Sequence, residues 1–312
     1  MSGLTRKAQV YVFVVTAGSA LFLWLQLRSV IMSPHTAATA AVFAILGSIA
    51  EAKPVQVLEY GFVSVSPVFQ SASYVLFPPG IAATVAATSS IVADVAGGRP
   101  AIKTVFNASQ YVVCVGVADL IYHSEALGYP RASLLADIPV FAASTVAYYL
   151  LNVTFICTAF ALAEDKPPLR IVVAEARAYL FQYLSLASLG MLVAFVYSRD
   201  PVGLLLLLLP IVILYTGIKN YTDLQTETRL AMEALADSID RRDDFTYDHS
   251  LRVAEYAAAT AREMRLPEKT IEQIHLGARI HDLGKVGLSN KVLFKDGALL
   301  EQEWDQVREH PQ

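Results

Sequence analysis

His281 and Asp282 stand side by side in the run ARIHDLGK, and no other residue pair in the chain suggests as much chemistry. An imidazole gives one nitrogen to a metal ion, whereas a carboxylate has two oxygens and can bridge a pair of ions. Two ions about 3.5 to 4 Å apart activate a bridging water and steady the leaving oxygen of an in-line displacement at phosphorus. Histidine and carboxylate suit iron, manganese and similar divalent metals. Thiolate is not on offer, because Cys114 and Cys157 fall inside apolar runs with no metal-ligand or disulfide spacing.

Two ligands do not make such a site, so the surrounding helices matter. From Asp248 onward three can be placed. The first is expected from about His249 to Arg265, with Val253, Ala257, Ala261 and Met264 as its core stripe. Pro267 opens the second at a position where its missing N–H costs nothing. That helix turns Ile271, Ile274 and Ala278 inward, carries His281 and Asp282, and stops at Gly284. A third is expected from about Leu300 to His310, ended by Pro311. Lys285 follows the second helix, where its ammonium could reach a phosphate oxygen and offset developing charge. Arg252 shares a face with His249 and reads as a structural partner for Asp248 or Glu255. His35, His123 and His275 read as ordinary surface or core histidines.

His249 in HSLRVA, then HDLGK, then the run that ends in His310-Pro311 is similar to the HD-GYP branch of the HD-domain phosphohydrolases. The resemblance implies that His249, His281, Asp282 and His310 are metal ligands, with Asp282 as the bridge and Lys285 at the phosphate. It also implies a cyclic dinucleotide substrate, cyclic di-GMP. Where some similar proteins place a third-metal glutamate four residues before the first histidine, this chain has Phe245, so two ions, iron or manganese, are expected per complete site. The family's His-His-Glu and Gly-Tyr-Pro segments and its later metal-binding aspartate do not occur here. Residues 245–312 are therefore expected to be a truncated, N-terminal part of an HD-GYP domain, inactive alone. A non-catalytic sensor subunit and an HD phosphohydrolase of another nucleotide are the alternatives.

The rest of the chain is built for a different solvent. Residues 1–218 carry 21 charged side chains and residues 219–312 carry 31, so charge density rises about threefold at that boundary. The first part holds eight apolar runs, at roughly 10–27, 37–50, 61–76, 81–96, 105–122, 138–162, 178–197 and 201–218. Each approaches the length that crosses a hydrocarbon core of about 30 Å, the second, third and fourth being the shortest. An all-α protein follows, with a polytopic membrane domain of about eight spans. Basic residues favour a cytoplasmic N-terminus, because Arg6, Lys7, Lys53, Arg99, Lys103, Lys166, Arg170, Arg177 and Lys219 then lie inside and only Arg28, Arg131 and Arg199 outside. A cleaved leader ending near Ala38-Thr39-Ala40 is disfavoured, since the first run is longer than a signal h-region.

Polar groups within the spans, among them Asp94, Asn107, Gln110, Asp119 and Asn152, are read as interhelical hydrogen-bonding groups. A transporter is disfavoured because no internal repeat is evident. The stretch VLEYGFVSVSPVFQSASYVLFPPGIAATVAAT, followed by AIKTVFNASQYVV, resembles MASE-type membrane sensor domains over roughly residues 10–218. That likeness implies a multi-pass sensor in the inner membrane of a bacterium that regulates an attached cytoplasmic enzyme.

Between the two parts, residues 219–244 lack Pro and Gly and place Leu224, Thr228, Ala231, Leu235 and Ser238 at alternating steps of four and three. This predicts a signalling helix with a weak coiled-coil seam through which the protein could form a homodimer. Residues 219–312 hold 13 basic and 18 acidic side chains, and the whole chain has a net charge of −4. With no basic patch, a nucleic-acid polymer is excluded as partner.

Overall fold

The computed structural model describes residues 5–28, 30–52, 55–56, 62–130, 134–163, 168–240, 249–266, 268–295 and 297–309. It is all-α apart from one pair of two-residue antiparallel strands, β1 (Val55–Gln56) and β2 (Phe62–Val63). The chain divides into two compact units, Met1–Ile218 and Lys219–Gln312.

Each of the eight apolar runs in the first unit coincides with a helix: α1 (Arg6–Leu27), α2 (Pro34–Glu51), α3 (Ser66–Leu76), α4 (Ile81–Ala96), α5 (Ala101–Tyr122), α6 (Leu134–Ala163), α7 (Pro168–Arg199) and α8 (Leu204–Asp240). Local chemistry sets several of the starts. Thr5 caps α1 by accepting from Ala8 N at 3.2 Å, and Ser33 caps α2 through Thr36 N at 3.1 Å, with Pro34 in its first turn.

Five of the eight, α1, α5, α6, α7 and α8, are long and apolar enough to cross a membrane. The third departs furthest from expectation. It starts at Ser66, five residues later than the apolar run, because Phe62 and Val63 are in β2 and Pro67 sits in the first helical turn. Its 11 residues rise only about 16 Å. Every side chain from Ser66 to Tyr74 is buried, so α3 is an internal helix clasped by its neighbours. At Gly190 of α7 a side chain would collide with Ser71 Oγ and the Val68 carbonyl of α3, so the glycine is what lets these helices touch. Phe43, Tyr74, Ile81, Val115 and Leu186 form the centre of the packed core.

Several polar groups of this unit bond to one another, although Gln110 Oε1, Asp119 Oδ2 and Asn152 Oδ1 are buried without a hydrogen-bond partner among the described residues. Asp94 accepts from Arg99 Nη1 and from Asn107 Nδ2, each at 2.8 Å, which ties α4 to α5. Asn152 donates to Tyr183 across α6 and α7 at 3.1 Å. His123, read from sequence as an ordinary histidine, places Nδ1 2.6 Å from the fully buried Asp119.

The second unit holds the later part of α8, then α9 (His249–Glu263), α10 (Glu268–Arg279), α11 (Asn290–Leu293) and α12 (Glu301–Glu309). Its small core joins Ala258, Ala261 and Ile271, with Leu266 and Ile274 packed against them. The buried stripe of α9 is Ala254, Ala258 and Ala261, one residue round from the expected one, while Met264 is 66% exposed. Alanines let α9 approach α10 closely, and the larger Val253 lies at the margin, half-buried. Arg265 takes a left-handed φ of 59° and closes α9, with Leu266 N donating to Ala261 O at 3.2 Å.

Candidate metal centre

The His-Asp pair lies just beyond a helix, not inside it as the spacing predicts. The last residue of α10 is Arg279, and a short 3-10 turn, Leu283–Gly287, follows Asp282. Asp282 has φ −98° and ψ 7°, a sparsely populated backbone conformation that re-aims the chain as the helix ends. The other histidine comes from the first position of α9, which packs against α10.

This arrangement brings His249, His281 and Asp282 together, with one ligand atom from each within 4.8 Å of the others. The rings of His249 and His281 have centroids 5.6 Å apart. Two ligands on opposite sides of an ion at about 2.1 Å would be about 4.2 Å apart, so only slight tightening is needed to fit one ion. Donor type fits as well, since imidazole nitrogen and carboxylate oxygen take borderline divalent metals.

The tautomer of His281 is also set. Its Nδ1 lies 2.8 Å from the Ala278 carbonyl, which can only accept, so Nδ1 carries the proton and Nε2 is left to face Asp282 at 3.4 Å. Lys285 places Nζ 2.6 Å from Asp282 Oδ2, neutralising a carboxylate that is only 14% exposed. His310 and Phe245, the remaining residues of the sequence argument, lie outside the described residues.

Beyond the cluster, Glu303 Oε2 accepts from Leu300 N at 2.7 Å and from Lys295 Nζ at 2.5 Å. The lysine contact, then the backbone N–H, lower the Glu303 pKa below the ordinary carboxylate value. The pair closes the start of α12, the helix that leads toward His310.

One residue of this region was missed from sequence. Arg279, 7% exposed, donates to Asp237 Oδ1 of α8 and to Ser250 Oγ, the neighbour of His249. The signal was available, because an arginine eight positions after Ile271 falls on the buried side of α10.

Comparison with known families agrees with the two-unit division. The MASE9 family model matches residues 61–221, and the HD domain model matches residues 246–312. The chain belongs to the MASE9 family and joins its membrane sensor domain to an HD domain of the phosphohydrolase family, whose members use divalent metal ions. A cyclic di-GMP phosphodiesterase of Pseudomonas aeruginosa is 37% identical over 70 residues, covering 22% of this chain and 17% of that protein. A 3'3'-cGAMP-specific phosphodiesterase of Vibrio cholerae is 38% identical over 72 residues, covering 23% and 16%. A cyclic di-GMP phosphodiesterase of the same organism is 32% identical over 124 residues, covering 37% and 25%. The matched residues thus span between a sixth and a quarter of these relatives' lengths. No solved structure matches the chain.

Proposed function

We propose that the protein is a membrane sensor whose HD domain belongs to a cyclic di-GMP phosphodiesterase centre. The observation that carries this reading is the convergence of His249, His281 and Asp282 from two helices onto a site of metal size. His249 and His281 would each supply one nitrogen, Asp282 would bridge, and His310 is the proposed fourth ligand. When bound, a pair of iron or manganese ions would lower the pKa of an attacking water and polarise the phosphoryl group. Lys285 is held on Asp282, so its ammonium would be at hand to offset negative charge on a phosphate oxygen bound at the centre. Four protein ligands leave most positions of two six-coordinate ions to water, substrate or other groups.

The substrate follows from the relatives: two of the three are named for cyclic di-GMP and one for 3'3'-cGAMP, so a cyclic dinucleotide is the shared chemistry. The N-terminus and the HD domain are proposed to be cytoplasmic, with the helices in the inner-membrane bilayer. Whether α3 and α4 cross fully or only dip in, the pair returns to the side it left, and the basic residues Arg6, Lys7, Arg99, Lys103 and Lys219 remain inside. Leu224 and Leu235, 62% and 54% exposed on α8, are proposed to pair in a homodimer.

The test is hydrolysis of cyclic di-GMP and 3'3'-cGAMP with added manganese or iron, by the chain and by Asp282→Asn. Metal-dependent turnover lost in the variant supports the reading. Equal turnover in both would show that the His-Asp cluster is not the reacting site.

A further inference from the structure

We infer that Arg279 is a positioning residue that couples the signalling helix α8 to the metal centre. This rests on the metal reading proposed above and adds the route by which a signal could reach it. Three helices meet at one guanidinium. Arg279 ends α10 two residues before His281, donates to Asp237 in the last turn of α8, and donates to Ser250 beside His249 in the first turn of α9. One histidine of the centre, His281, thus lies two residues from Arg279 itself, and the other, His249, adjoins a residue that its side chain binds.

Burial makes the contact obligatory. Among the described residues of the second unit, Arg279 is the one charged side chain that is buried. A guanidinium out of water needs anionic partners, and Asp237 is one that it binds. Its planar fork of donors can hold a carboxylate and a hydroxyl at fixed angles, which a lysine cannot reproduce. Asp237 is an unexpected residue for its own helix, because a carboxylate in the last turn opposes the helix dipole. Its side chain remains 49% exposed, so the ion pair lies where a turn or slide of α8 could break it. When α8 shifts, the guanidinium follows Asp237 or loses it. Either movement acts on the 280–282 turn, where His281 and Asp282 are aimed.

Asp237→Asn tests this in the full chain held in lipid nanodiscs, because the half-exposed residue is not a metal ligand and the change is isosteric. Two readouts are taken: manganese affinity by electron paramagnetic resonance, and amide exchange across residues 249–255 and 278–288. Asp237→Asn is expected to weaken manganese binding about tenfold, the lower end of the range for an outer-contact ligand-orienting residue, and to speed exchange in both segments. Asp237→Glu is expected to restore both. The charge swap Asp237→Arg with Arg279→Asp is expected to recover exchange protection that Arg279→Asp alone loses. Unchanged exchange in Asp237→Asn would overturn the coupling. If the unaltered chain binds no manganese, the metal reading fails, and the exchange arm decides the coupling by itself.

Discussion

The two units treat their polar side chains in opposite ways. In the membrane unit Asp94 has both oxygens occupied, by Arg99 and by Asn107, whereas Asn152 and Asp119 each bind one neighbour and keep one buried oxygen without a hydrogen-bond partner among the described residues. In a medium without water such groups turn to one another, and Asp94, with both oxygens taken, has little capacity left for a ligand. In the second unit His249, His281 and Asp282 bring one ligand atom each to a common point, Lys285 lies on the carboxylate, and His281 is exposed. Convergence of metal-ligating groups at an exposed imidazole marks a candidate site for chemistry, and the doubly bonded Asp94 carboxylate marks a joint between helices.

The strongest way to break this contrast is Asp282→Asn. Replacing the proposed bridging carboxylate is expected to weaken manganese binding by at least about 100-fold, read by paramagnetic resonance, with helix content unchanged by circular dichroism. Asp94→Leu should behave in the reverse manner. Thermal unfolding in detergent should show a loss of about 1 to 2 kcal/mol, the lower end for a broken ion pair because Arg99 can reach water, while manganese affinity stays the same.

A sharper and smaller effect is expected at Lys285. Its ammonium competes with a cation for Asp282 Oδ2, so Lys285→Ala should tighten manganese binding about twofold to fivefold, even as any phosphodiester hydrolysis falls. Weaker binding in this variant would mean that Lys285 supports the metal cluster and does not compete for it.

The smallest change is set by pH. Because the folded pKa of Glu303 is lowered, its contribution to stability is present above the ordinary glutamate pKa of about 4.3 and is lost as pH falls through the lower folded value. Glu303→Gln should therefore speed exchange at the start of α12 at pH 7. The difference from the unaltered chain should vanish in acid.

Much of this was legible in the sequence for a simple reason: apolar runs and charge density report the solvent around a segment, and eight runs became eight helices. The candidate metal-ligand residues were legible because their types are chemically restricted. The limits of α3 were not, since an 11-residue buried helix and a short membrane span have the same composition. Arg279 escaped because hydrophobic periodicity finds apolar core residues and passes over a charge whose partners are far along the chain.

The sequence alone determined the contrast in charge between the two parts, the helical class and which residues are candidates for binding metal, all properties carried by residue type and near-neighbour spacing. Only the tertiary structure decided that α10 ends before the His-Asp pair, that His249 comes within reach of it from another helix, and that a buried arginine joins α8 to both. Distances between residues far apart in the chain depend on how the helices pack, and no local pattern encodes them.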